Sequence, residues 1–294
     1  VIDAGPARTH RRALLAGGAA AVLLGSTVEA ADDLAALEAR GGGRLGVCAI
    51  DTGTGRRLAH HADERFAMCS TFKALLAGAV LARVDRGEER LDRRIPYTAA
   101  DMVSHAPVTH VHLAEGAMDV ESLCKAVVEV SDNPAANLLL KTLGGPEGLT
   151  AYARALDDAT TRLDRFEIDL NTALPGDPRD TTSPAAMAGT LRKLVLGEAL
   201  SAASRRKLTD WMAASTTGLR RLRQTLPQGW RAADKTGTGG QGSTNDIAVF
   251  WPPSGAPILV AAYLTETTAP LDVREGVLAD VGALAVKTFA TGAA

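Results

Sequence analysis

With 294 residues, 46% apolar and 22% charged, the chain has an ordinary globular composition and enough length for a substantial core, in one large domain or two interlocked ones. Its 32 basic and 34 acidic residues give a net charge of −2, which excludes the basic footprint of a nucleic-acid binder. At 4% aromatic residues it also lacks the material for base-stacking surfaces.

Residues 1–30 read as an export signal. Thr9-His10-Arg11-Arg12 precedes an apolar run over 13–25, and Val28-Glu29-Ala30 offers small residues where a signal peptidase cuts, so cleavage near Ala30 is expected. The adjacent arginines suit the twin-arginine route. The run is too short to span a bilayer and no Cys follows it to take a lipid, so the expectation is a secreted, soluble protein with no stable membrane association.

Residues 32–40 predict a short amphipathic helix that leads through Gly41-Gly42-Gly43 into a strand over 44–51, where Leu45, Val47 and Ala49 alternate with other residues. Thr52-Gly53-Thr54-Gly55 turns the chain into a second strand over 56–62. Two strands alone do not make a stable sheet. Their partners are expected near the other end, over 230–237, 243–251 and 258–265, before a closing helix over 271–289. Between these halves the chain predicts helices near 70–85, 119–129, 132–143, 145–156, 184–196 and 202–214. The fold class is therefore α/β plus all-α. A five-stranded antiparallel sheet with flanking helices is built from both chain ends (31–65 and 215–294), and a helical domain (66–214) is inserted into it. A cleft between the two is the place for a ligand.

The stretch 68–85 is apolar on nearly every face, the pattern of a buried central helix. Its early charge is Lys73. Ser70 stands three residues before it, one turn away on the same face near the helix N-terminus. Burial and the helix dipole both disfavour an ammonium there, so Lys73 must meet carboxylates or titrate abnormally low, and either outcome activates Ser70. Ser-x-x-Lys alone is a weak signal, arising by chance about once in a couple of hundred residues.

Further on, Ser131-Asp132-Asn133-Pro134 opens a helix, a task for which these residue types suffice without any chemistry. The loop over 162–180 is long, charged and barred from helix by Pro175 and Pro178, as functional or Ω-loops are. Phe166, Ile168 and Leu170 offer it apolar anchors, and Glu167 and Asn171 are spaced to converge on one water. Lys235-Thr236-Gly237-Thr238-Gly239 ends a strand. Such a Lys-Thr-Gly triplet is rarer by chance, about once in several thousand positions, and its glycines allow close approach of a substrate to the strand edge.

The cysteines Cys48, Cys69 and Cys124 are odd in number, so at least one is free, and no zinc spacing exists among them. His110-Val111-His112 would place both rings on one face if extended, but no further ligand cluster follows; the histidines read as surface or packing residues.

Ser70-x-x-Lys73, Ser131-Asp132-Asn133 and Lys235-Thr236-Gly237, in this order, form the motif set of class A β-lactamases and penicillin-binding proteins. With Arg165-Phe166-Glu167-x-x-x-Asn171, Asp180-Thr181-Thr182 and Thr244-Asn245-Asp246, the chain resembles a class A serine β-lactamase of the actinobacterial type from about residue 33 to 289. The resemblance implies that Ser70 is the nucleophile that opens the lactam, and that Lys73 and Ser131 shuttle protons. It implies an oxyanion hole from the backbone N–H groups of Ser70 and Thr238, each donor worth about 10² to 10³ in rate. Asn133 would hold the substrate's amide side chain, while Lys235, Thr236 and Thr238 would meet its carboxylate. Glu167, helped by Asn171, would activate the deacylating water, a contribution of about 10² to 10⁴. This Glu-bearing loop favours a hydrolase over the alternatives, a penicillin-binding DD-peptidase or a non-catalytic β-lactam sensor. Whether Lys73 or Glu167 is the acylation base stays open.

Arg165 and Asp180 resemble the pair that pins the loop ends. Thr244 stands where many members carry a carboxylate-binding Arg, and Arg221 matches the alternative source, with Arg220 or Arg223 facing solvent. Ala77 occupies the place of a cysteine that relatives bridge to the counterpart of Cys124, and Gly239 that of one bridged to the residue before the nucleophile, Cys69 here. His105 is a candidate for the cleft mouth. A small-molecule β-lactam substrate, no metal or organic cofactor, no nucleic acid and a monomer complete the expectation.

Overall fold

In the computed structural model, Val1 and residues 18–290 are described, with side chains from residue 30 onward and backbone alone for 18–29. The Arg11-Arg12 pair and the apolar run up to residue 17 lie outside the described residues.

The central sheet has the strand order β2-β1-β9-β8-β7, all neighbours antiparallel. Its strands are β1 (Arg44–Asp51), β2 (Arg57–His60), β7 (Arg231–Thr238), β8 (Thr244–Trp251) and β9 (Ile258–Thr265). The chain's two ends meet where β1 pairs with β9, in a register running from Arg44 opposite Thr265 to Asp51 opposite Ile258. Alternation of side chains sends Val47, Phe250, Val260 and Leu264 to one face, where α8 (Leu271–Ala290) covers them with Val277, Leu278 and Val281, and α1 (Gly18–Gly41) adds Leu34. The opposite face carries Cys48, Val249, Leu259, Ala261 and Tyr263 into a second core. Every residue of β9 is buried, so the unbroken apolar run there reflects cover on both faces. β1 is likewise buried through Leu45–Ala49 rather than half-buried, because Cys48 also packs inward.

The second core is shared with the helices between the sheet halves. These are α2 (Phe72–Asp85), α3 (Val120–Glu129), α4 (Asn133–Thr142), α5 (Pro146–Ala155), α6 (Pro184–Val195) and α7 (Ala202–Ala213). α2 is their axis: every residue from Phe72 to Ala82 is buried, Lys73 included. Side chains of Asp119, Asp132, Ser183 and Ser201 cap α3, α4, α6 and α7, accepting from backbone N–H groups of the first turns.

Some expectations need correction. The helix expected over 32–40 is the end of the longer α1, whose upstream sequence is rich in Ala and Leu and free of Pro. β2 stops at His60 instead of residue 62, because His61 turns into left-handed backbone at φ 43°. Two small sheets were not expected: β3 (Phe66–Ala67) with β6 (Thr181–Thr182), and β4 (Arg94–Pro96) with β5 (Ala117–Asp119). The first ties the far end of the 162–180 loop to the approach to α2.

Candidate active site

Ser70 sits in a single 3-10 turn, Cys69–Thr71, ahead of α2 rather than in the α-helix itself. That turn is anchored on several sides. Cys69 has φ 45°, the Thr71 hydroxyl donates to the Met68 carbonyl at 2.8 Å, and Asn245 on β8 donates its amide to the carbonyls of Ala67 and Met68 at 2.9 and 3.1 Å. β7 lies directly against it: a Cβ on Gly237 would come within 2.7 Å of the Met68 carbonyl oxygen and 3.2 Å of the Ser70 nitrogen. The glycine of the Lys-Thr-Gly strand is thus required by the protein's own packing, beyond any close approach of a ligand.

Lys73, itself fully buried, points from the first turn of α2 into a polar cluster. Its Nζ lies 3.2 Å from Ser70 Oγ, 2.8 Å from the Ser131 carbonyl, 3.3 Å from Ser131 Oγ and 2.5 Å from Asn133 Oδ1. Glu167 Oε1 stands 3.0 Å away, and neither side chain of this pair reaches solvent. Both alternatives open for Lys73 are therefore realised: burial lowers its pKa, and the Glu167 carboxylate partly restores it.

Ser131 is relieved of the capping duty its sequence position suggested. Asp132 caps α4 by accepting from Ala135 N–H at 3.0 Å, and its other oxygen takes Val108 and Thr109 N–H, each at 2.9 Å. Ser131, at φ 62°, turns its hydroxyl to Lys73 and to Lys235, whose Nζ is 3.1 Å away. Asn133 donates its amide to the Ser104 carbonyl at 2.9 Å while its oxygen faces Lys73. Its backbone N–H donates to the carbonyl of exposed His105, whose ring Nε2 meets the Val130 carbonyl at 2.9 Å. His105 thus lies against the segment bearing Ser131 and Asn133.

The 162–180 loop is pinned at its ends by Arg165 and Asp180, 2.6 Å apart, with Asp180 also accepting from Asp164 and Arg165 N–H at 2.7 and 3.0 Å. Of the three expected apolar anchors only Leu170 is buried; Phe166 and Ile168 are 38% and 46% exposed. They flank Glu167, which turns inward, and immediate neighbours of an inward side chain face out. The peptide between Glu167 and Ile168 is cis. Asn171 donates its amide to Glu167 Oε2 at 2.5 Å, and its buried Oδ1 has no protein donor.

On the β7 side, the Thr236 hydroxyl is 2.6 Å from that of Thr217. Arg221 lies behind the strand, donating Nη1 to the Gly237 and Asn245 carbonyls, both at 2.9 Å, and Nη2 to Thr238 Oγ1 at 2.8 Å. Its charge therefore reaches the strand edge through Thr238. Arg220 is exposed as expected, but Arg223 is largely withdrawn from solvent and pairs with buried Asp234, so its solvent-facing reading is corrected. All three cysteines are free.

The chain that carries this site is similar to known proteins over most of its length. Residues 29–289 match the family model described as Beta-lactamase enzyme family. The chain is 49% identical to β-lactamase L2 of Stenotrophomonas maltophilia over 88% of its own length and 86% of the relative's. It is 51% identical to β-lactamase AST-1 of Nocardia asteroides, covering 84% and 79% respectively. The chain belongs to the class A β-lactamase family. Among solved structures, an ancestral Gram-negative class A β-lactamase is 61% identical with a TM-score of 0.87, covering 88% of this chain and all (100%) of that one. The putative class A β-lactamase PenP of Rhodopseudomonas palustris is 56% identical with a TM-score of 0.87, covering 89% and 100%.

In this β-lactamase several supporting residues had escaped the sequence reading. Asn137 holds Glu167 at both backbone groups, accepting its N–H and donating to its carbonyl, each at 2.9 Å. Its spacing of four from Asn133 on α4 was the available signal. Asp234 precedes Lys235 on β7 and is wholly buried beside Arg223; burial pushes its carboxyl up to about 6 despite that arginine. Burial, with the Lys73 ammonium nearby, brings Lys235 down to about 7, opposed by the carboxylates of Asp234 and Asp246.

Proposed function

We propose that Ser70, Lys73, Ser131 and Glu167 carry the acyl-enzyme hydrolysis of β-lactams by this class A β-lactamase, and that penicillins and cephalosporins are both substrates. Ser70 Oγ attacks the lactam carbonyl carbon and gives its proton to Lys73, 3.2 Å away, whose pKa burial lowers. The ammonium so formed faces Glu167 Oε1 at 3.0 Å, which stabilises it. As the lactam C–N bond breaks, the proton passes through the Ser131 hydroxyl, 3.3 Å from Lys73, to the leaving nitrogen. Backbone N–H groups of Ser70 and Thr238 receive the developing oxyanion. Lys235, Thr236 and Thr238, the last oriented by Arg221, receive the substrate carboxylate; Asn133 and His105 border the amide side chain. In the second half Glu167 takes a proton from water held with Asn171 and the hydroxide formed attacks the ester carbonyl; as the ester C–O bond breaks, the proton on Glu167 passes through Lys73 to Ser70 Oγ, returning all three residues to their starting states.

The observation that carries this reading is the buried Glu167 carboxylate beside both Lys73 and Asn171, since acylation without such a base leaves a trapped ester. Intact-protein mass after mixing with benzylpenicillin, read alongside loss of lactam absorbance, tests it. Wild type is expected to turn over many equivalents. Glu167→Ala should accumulate a stoichiometric adduct, and Ser70→Ala should form none. Wild-type turnover by Glu167→Ala would remove Glu167 from deacylation.

Export with removal of residues up to about Ala30 is part of the same reading. It is supported by the family match beginning at residue 29 and by the finding that no helix among the described residues is long and apolar enough to cross a membrane. A monomer suffices, because every proposed role is filled within one chain.

A further inference from the structure

On the far edge of the sheet from β7, three potential metal ligands converge that no spacing rule would group: Glu38 from the last turns of α1, and His60 and His61 from the end of β2. Successive residues of a strand point to opposite faces, so adjacent histidines would ordinarily diverge. Here His61 leaves the strand at φ 43°, and the two rings come together edge to face with centroids 4.3 Å apart. The Nε2 atoms of both rings face one oxygen, Glu38 Oε2, at 3.0 Å from His60 and 3.5 Å from His61. Ligand atoms about 2.0–2.1 Å from zinc at tetrahedral angles lie about 3.3 Å apart. The observed separations bracket that edge length.

The surrounding groups are arranged as supports for such ligands. Glu38 Oε1 accepts the Leu45 N–H at 2.9 Å, leaving Oε2 to the histidines. His61 Nδ1 meets Glu64 Oε1 at 2.7 Å, and Glu64 is itself held by Arg44 at 3.1 Å. A carboxylate on the second ring nitrogen is the usual outer partner of a metal-bound histidine. When Nδ1 donates to Glu64, Nε2 is the ring atom left on the Glu38 side to bind a cation.

We propose that Glu38, His60 and His61 form a His₂Glu site for a zinc-class divalent cation, with solvent in the fourth position. The site would clip α1, the edge strand β2 and the turn after it together, remote from Ser70. Nitrogen and carboxylate donors favour Zn²⁺, Ni²⁺ or Cu²⁺ over Ca²⁺ and Mg²⁺.

Isothermal titration of the protein with zinc chloride is expected to show one saturable equivalent and a zinc-dependent rise in Tm. His60→Gln and His61→Gln should each weaken binding at least tenfold and abolish the Tm rise, with benzylpenicillin turnover unchanged as the check on folding. Co²⁺ needs no variant: it should give the intense visible bands of a four-coordinate site. No saturable heat up to about 1 mM zinc, affinity unchanged in either histidine variant, or only the weak spectrum of hexa-aquo cobalt would each overturn the proposal.

Discussion

Replacing Asn137 by Ala separates positioning of the proposed deacylation base from its chemistry. The side chain holds the backbone of Glu167 through two hydrogen bonds of 2.9 Å. Each contributes about 0.5–1.5 kcal/mol, so their loss releases about 1–3 kcal/mol that now holds Glu167 in place. If that restraint acts only on the water-activating step, deacylation slows by about 5- to 150-fold, at about 1.4 kcal/mol per tenfold. Acylation, which uses Ser70 and Lys73 on the α2 side, should change much less. Pre-steady-state mass spectrometry with benzylpenicillin resolves the two: the variant should show a larger steady fraction of acyl-enzyme than wild type. Equal slowing of both steps, or no change in the acylated fraction, would refute the argument that Asn137 serves Glu167 specifically.

Two further outcomes follow from the β7 side and the Ser70 turn. Because burial brings Lys235 down to about 7, kcat/KM for carboxylate-bearing substrates should fall as pH rises through about 7, where the ammonium is lost; in Lys235→Arg, whose side chain stays charged, that basic limb should flatten. A Cβ at Gly239 would lie 2.6 Å from Cys69 Sγ, close enough that Gly239→Cys should oxidise to a disulfide, read as a 2 Da mass loss (about two protons) restored by reductant. The same Cβ approaches the Asn171 carbonyl oxygen to 2.7 Å, so the bridged form should deacylate more slowly as that loop residue shifts.

Long elements with a clear period were legible. The five strands and α2 announced themselves through alternation or unbroken apolarity, and Ser70, Lys73, Ser131, Glu167 and Lys235 through motifs that meet around the Lys73 nitrogen, its carboxylate partner and the Ser131 hydroxyl. What escaped was short or depended on a turn. β3 and β6 hold two residues each, too few for any period. Phe166 and Ile168 looked like anchors by hydrophobicity, but the inward turn of Glu167 sends both outward. Arg223 was indistinguishable from Arg220 in sequence, and only the position of Asp234 on β7 separates their fates. The Glu38, His60 and His61 group depended on a single left-handed residue that reverses one side chain.

The pairing of β1 with β9 has a consequence for how the chain is made. Arg44 finds Thr265 and Asp51 finds Ile258 only after nearly the whole polypeptide exists, so the sheet has a very high contact order and closes late. Until then β1 has only β2 as a partner, and the apolar faces that α1 and α8 will cover stay open. A chain stopped before β9 has no strand to join β1–β2 to β8–β7. Truncation that removes β9 should therefore abolish the native state altogether rather than trim it, and β9 must be made before the Ser70 turn, pressed against β7 and held by Asn245 of β8, can take its working shape.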